Sequence, residues 1–86
     1  MKIKDGFFLR EVAGSFVVMN LGGELAFNGM ITLNETGAQI WKFIEQGFDK
    51  DTIAKKITEE YDIDLKTASD DIDSFIEKMR GANIIE

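Results

Sequence analysis

The chain contains no cysteine, no histidine and no proline. Without cysteine there is no disulfide staple, no thiolate zinc site and no thiol nucleophile. A small domain that dispenses with staples reads as cytoplasmic rather than secreted. Without histidine the usual general base and the commonest metal ligand are gone. With no proline, no low-complexity tract and no linker, residues 1–86 read as one domain. No apolar run approaches the ~18 residues of a membrane span, and Met1-Lys2-Ile3-Lys4-Asp5 is not followed by the apolar core of a signal peptide. Positive charge is also scarce. Ten Lys and Arg face sixteen Asp and Glu, a net charge of −6. Nucleic-acid affinity rests largely on neutralised phosphates, so this balance argues against DNA or RNA as a partner. It serves solubility and favours a partner with basic residues.

What is present suffices for one core. A chain of 86 residues buries roughly 60–65% of its unfolded surface. The decisive stretch is Ile31-Thr32-Leu33-Asn34-Glu35-Thr36-Gly37-Ala38-Gln39-Ile40-Trp41. Up to Leu33 the apolar residues keep strand spacing. After Asn34 they recur at helical spacing, through Gly37, Ile40, Trp41 and Ile44. Asn34 is the natural N-cap, since its side-chain oxygen accepts from an orphan N–H of the first turn, and Glu35 sits at the positive end of the helix dipole.

Before that junction, Gly6 to Ala13 carries one strand, with Phe7, Leu9 and Glu11 on one face and Phe8, Arg10 and Val12 on the other. Ala13-Gly14-Ser15 is a turn, and Phe16-Val17-Val18-Met19 a second strand hairpinned to the first. Leu21-Gly22-Gly23-Glu24 breaks it. Leu25 to Leu33 resumes as a third strand, with Leu25, Phe27, Gly29, Ile31 and Leu33 towards the helices. At Asn28-Gly29 the strand is either interrupted or bulged. Residues 1–5 read as a loose polar start.

After the junction, helix one spans about Glu35 to Gln46, with Gly47 as its left-handed cap. Helix two starts at Asp49 or Asp51 and buries Ile53, Ala54, Ile57 and Tyr61. Helix three is capped by Asp64, with Ile63 stapled on Ala68. Its buried stripe is Leu65, Ala68, Ile72, Phe75, Ile76 and Met79, and Gly81 ends it. Asn83-Ile84-Ile85 packs back as an extended tail. The order β-β-β-α-α-α reads as an α+β fold, winged helix-turn-helix-like, in which a three-stranded antiparallel sheet precedes three helices.

Few residues carry chemistry. Asp62, Asp64, Asp70, Asp71 and Asp73 do not make a calcium loop, because Lys66 stands at the third ligand position and the turn glycine is missing. No nucleophile, cofactor motif or metal set accompanies the carboxylates, so no enzyme, no metal and no cofactor is expected. Helices two and three have helix-turn-helix architecture. However, Ser69, Asp70, Asp71, Asp73, Ser74 and Glu77 flank the stripe of helix three, where a DNA reader carries Arg, Lys, Asn or Gln. The third strand has no charge after Glu24 and no proline to protect an edge. It is either a covered strand or an edge left open for an extended peptide.

Leu9-Arg10-Glu11-Val12, Ile31-Thr32-Leu33-Asn34-Glu35-Thr36-Gly37, the apolar pair ending in Trp41, and Asp71-Ile72-Asp73-Ser74-Phe75 together resemble the PqqD-like family. These are the small winged-helix recognition elements of ribosomally made, post-translationally modified peptides. The resemblance spans nearly the whole chain. It implies a non-catalytic chaperone that binds the leader of a precursor peptide as an added strand and delivers it to a modifying enzyme, often a radical SAM enzyme. It implies contacts along the third strand at Leu25, Phe27, Gly29, Met30 and Ile31. It adds the exposed shoulder of helix three at Ser69, Asp73 and Ile76. Leu21-Gly22-Gly23-Glu24 and Asn28-Gly29 resemble free-standing relatives in other peptide-maturation clusters rather than the members serving pyrroloquinoline quinone synthesis. Rival readings are a winged-helix nucleic-acid-binding regulator, and a homodimer in place of a monomer, paired through the open sheet edge.

Overall fold

The turn at Ala13 and Gly14 sets the sheet. In the computed structural model, which describes residues 2–20 and 31–86, β1 (Phe7–Val12) and β2 (Ser15–Asn20) pair antiparallel, with Val12 opposite Ser15 and Phe7 opposite Asn20. Both turn residues have positive φ, 52° at Ala13 and 84° at Gly14. That is the requirement of a type I′ hairpin turn, whose twist matches the strands it joins. Glycine meets it freely, whereas Ala13 carries its Cβ into a region that costs about 1 kcal/mol. Ala13→Asn restores the preferred Asn-Gly pair and is expected to stabilise the protein by about 0.5–1 kcal/mol. Calorimetric melting checks this, and a lower Tm than the parent chain would contradict it.

β3 (Ile31–Leu33) pairs antiparallel with β2, Leu33 opposite Phe16 and Ile31 opposite Val18. The order is β1-β2-β3, so β2 is central and β3 is an edge of the described sheet. Of the expected third strand, Leu25 to Met30 lies outside the described residues. The alternation is as the sequence implies: Phe7, Leu9, Phe16, Val18, Ile31 and Leu33 pack on the core, while Phe8 and Val12 stand exposed on the other face.

Each helix starts on a side-chain cap. α1 (Glu35–Glu45) begins where Asn34 Oδ1 accepts the Gly37 N–H at 2.7 Å. α2 (Lys50–Glu60) begins at Asp49, which accepts from Thr52, and α3 (Leu65–Gly81) at Asp64, which accepts from Thr67. α1 ends in a Schellman motif: the Gly47 and Phe48 N–H groups donate to the Ile44 and Phe43 carbonyls. Its accompanying apolar contact is an edge-to-face pair of Phe43 and Phe48 with ring centroids 6.0 Å apart. α3 ends in the same motif, at the residue the sequence implies. Gly81 is its last helical residue, and Asn83 takes the left-handed position with φ 65°. The Asn83 and Ile84 N–H groups donate to Arg80 and Met79.

The two aspartate caps also set an acid limit. The Thr52 hydroxyl and N–H hold the Asp49 carboxyl below its usual range, and the Thr67 N–H and hydroxyl do the same for Asp64. Both folded-state pKa values are lowered, so the caps contribute fully above the unfolded carboxylate value near ~4 and lose that contribution as pH falls through the depressed values. Stability is therefore expected to drop on acidification in that window. Asp64→Asn, which caps without titrating, should flatten the drop, and an unaltered acid profile in that variant would contradict the assignment.

Trp41, Ile40, Ile53, Ile57, Ile72 and Met79 form the centre of the core beneath the sheet, with Val18 and Leu33 above them. The Trp41 indole N–H is buried with no acceptor among the described residues. Leu65, expected on the stripe of α3, is 53% exposed. It has the stripe's angle but sits in the first turn, beyond the end of the core, and burial begins at Ala68. The start of the chain is not loose. Ile3 bridges Ile85, the Lys4 N–H donates to Ile84, the Glu86 N–H donates to Lys2, and Lys4 Nζ donates to Asn83 Oδ1 at 2.6 Å. Ile84 and Ile85 are buried, so the apolar tail draws the polar N-terminal segment onto itself.

Candidate functional site: the groove between the edge strand and the last helix

Only Asn34 separates β3 from α1. With its cap in place the chain turns from strand into helix without a loop, and the first turn of α1 lies beside the end of β3. α3 closes on this junction from the other side. A Cβ at Gly37 would meet Asn34 Oδ1 at 3.2 Å, Leu33 Cβ at 3.4 Å and Phe75 Cε2 at 3.7 Å. The glycine thus lets the cap, the strand end and the Phe75 ring converge.

A groove of about 480 Å³ opens at this convergence. Its floor is apolar and buried: Leu33, Gly37, Ile40 and Phe75. Its rim is polar and exposed: Thr32 and Asn34 on one bank, Asp71, Ser74 and Lys78 on the other, with Thr36 half-buried between them. The α3 members fall at i, i+3, i+4 and i+7, so one helix face forms the whole bank. Along the strand bank, alternate residues of an antiparallel edge turn both backbone groups away from the neighbour they pair with. β3 has β2 as its strand neighbour among the described residues, and its Thr32 and Leu33 line the groove.

The charges on α3 divide by flank. Asp73 pairs with Lys50 of α2 at 2.5 Å, and Asp70 pairs with Lys66 at 3.1 Å. Each carboxylate raises the pKa of its lysine, chiefly through the direct hydrogen bond. Asp71 and Lys78 make no ion pair among the described residues. Elsewhere, burial and the Glu35 and Glu60 carboxylates push the Tyr61 phenol upward. Among the described residues no three metal-ligating side chains cluster, and no helix is long and apolar enough to cross a membrane.

The site residues named from sequence fall into three groups. Leu25, Phe27, Gly29 and Met30 lie outside the described residues. Ile31 is on β3, half-buried against the core. Ser69, Asp73 and Ile76 share one flank of α3, roughly half a turn around from the groove face at 100° per residue. Asp73 there faces Lys50, and Ile76, which the sequence places both on the buried stripe and on the exposed shoulder, is buried at 8% exposure. The groove instead takes Asp71, Ser74, Phe75 and Lys78. Phe75 was legible as part of the buried stripe. The other three flank that stripe on its opposite side, and periodicity treats both flanks alike.

The family described as "Coenzyme PQQ synthesis protein D (PqqD)" matches residues 15–85. The chain belongs to the PqqD family. Its match takes in β2, β3 and all three helices, the elements that build the groove. No curated protein matches the chain. Two solved structures share the fold of this PqqD-family chain. One is "TbiB1 in Complex with the TbiA(beta) Leader Peptide", with TM-score 0.84 and 24% identity, covering 100% of this chain and 95% of that one. The other is "Lasso peptide synthetase B1 complexed with the leader peptide", with TM-score 0.84 and 16% identity, covering 99% and 95%.

Proposed function

We propose that this chain is a non-catalytic recognition element for the leader of a ribosomally made precursor peptide. An extended leader segment adds along the far side of β3 and lays alternate side chains into the groove between β3 and α3. Main-chain hydrogen bonds supply affinity, and the groove supplies choice of side chain. The observation that carries this reading is the edge position of β3 in the described sheet, beside an apolar-floored groove. Membership of the PqqD family and a fold shared with two proteins solved with leader peptides support it. The bound leader is then presented to a modifying enzyme, for which a radical SAM enzyme is the partner the family resemblance favours. The nucleic-acid reading is weaker, because the exposed side of α3 carries Asp70, Asp71, Asp73 and Glu77, which repel phosphates.

The test is a titration of the isotopically labelled protein with the precursor peptide encoded beside its gene. Binding at roughly micromolar Kd, about −8 kcal/mol, is expected for so small an interface. Amide shifts should concentrate in Ile31 to Leu33 and in Ser74 to Lys78. A saturating titration that leaves both segments unmoved would refute the site. Sedimentation of the free protein separates this reading from self-pairing through β3, which predicts a dimer that the peptide dissolves.

A further inference from the structure

We infer that the groove reads the leader by a charge-ordered triad: a basic residue, an apolar residue and an acidic residue at alternate positions of the bound strand. This rests on the proposed peptide site and adds what that site selects. On α3, Asp71 and Lys78 are seven positions apart, about 10 Å along the helix axis. Phe75 lies between them and forms the floor with Leu33 and Ile40. Residues i and i+2 of an extended peptide point to the same face about 6.6–6.8 Å apart, so i−2 to i+2 spans about 13 Å. An apolar side chain at i seated over Phe75 therefore brings its i−2 and i+2 neighbours to the two charged ends of the bank. The remaining few ångströms lie within the reach of a lysine or glutamate side chain.

Two features of the helix favour a reading role over simple solubility. α3 engages its other two central carboxylates internally, Asp70 with Lys66 and Asp73 with Lys50. The two charges that rim the groove are of opposite sign, are both exposed, and have no ionic partner among the described residues. An apolar floor between unlike unpaired charges is a polarised slot. It accepts a complementary peptide in one orientation and opposes the same peptide with its charges exchanged. The guest is therefore a peptide strand with a basic side chain over Asp71 and an acidic one over Lys78. The slot fixes its register as well as its presence, since a slip of one residue would turn all three side chains away.

The test uses a displayed library of random linear peptides, selected against the parent chain and against the double variant Asp71→Lys with Lys78→Glu. Both side chains are exposed, so the variant is expected to fold, with a melting temperature lowered by a few degrees at most because a glutamate at position 78 opposes the C-terminal end of the helix dipole. The parent should enrich basic and acidic residues flanking an apolar residue at i−2 and i+2 in one N-to-C order. The double variant should enrich the reverse order. Exchanging the charges of a selected peptide should cost the parent about threefold in affinity per pair and roughly tenfold for both, a loss the double variant recovers. Selected peptides that shift Ser74 to Lys78 but show no charge order, or the same order for both proteins, would overturn the triad and leave the peptide site standing. Selected peptides that leave the groove amides unmoved would overturn the site, and the triad with it.

Discussion

Truncating Ile72 to alanine is expected to lower the unfolding free energy by about 2–5 kcal/mol, while the same change in type at Leu65 costs under about 1 kcal/mol. Both positions fall on the apolar stripe of α3 by periodicity. Ile72 is fully buried in the middle of the helix, against a core that includes Trp41, Ile53, Ile57 and Met79. Removing its side chain leaves a cavity that close-packed neighbours fill only in part. Leu65 is 53% exposed and leaves no cavity. A chain of 86 residues has a total stability of only about 4–13 kcal/mol, so Ile72→Ala takes a large share of it. Urea unfolding followed by fluorescence measures both, because Trp41 is the single tryptophan and is wholly buried when folded. Equal losses at the two positions would show that α3 extends its buried face one turn further than described.

The second large effect is on binding. Ser74→Tyr is expected to weaken leader affinity at least tenfold, about 1.4 kcal/mol, with little change in melting temperature. Ser74 is exposed on the α3 bank of the groove, and serine and tyrosine have similar helix propensities. A ring there fills the space an added peptide strand needs. The control is Ser69→Tyr, on the flank that looks towards α2. Sequence reasoning named that flank, and the groove leaves it out. Isothermal titration with the precursor peptide compares the two. Lost affinity in the Ser69 variant alone would move the peptide to the α2 side of α3.

Much of the architecture was legible without coordinates, and the reason is locality. Asn34, Asp49 and Asp64 each cap a helix within three residues of their own position, so their roles can be read from a short window. The hairpin at Ala13-Gly14 and the cap at Gly47 are equally local. Errors arose where a local signal competed with a distant one. α3 does end at Gly81, while the left-handed position of its closing motif falls to Asn83, whose neighbour Ile84 is buried. The first residues looked loose because they are polar, yet the tail Ile84-Ile85 pairs with them across the whole length of the chain.

The sequence by itself determined the element order, the caps at Asn34 and Asp64, the inward face of β1 and most of the buried stripe of each helix, because hydrogen-bonding caps and side-chain period act over a few residues. Only the tertiary structure decided that β3 is a border of the described sheet and that the Asp71–Lys78 flank of α3, rather than the Asp73 flank, looks at it. A periodic stripe fixes which side of a helix is buried. It is indifferent to which neighbour lies to the left and which to the right, and that choice comes from packing between residues far apart in the chain.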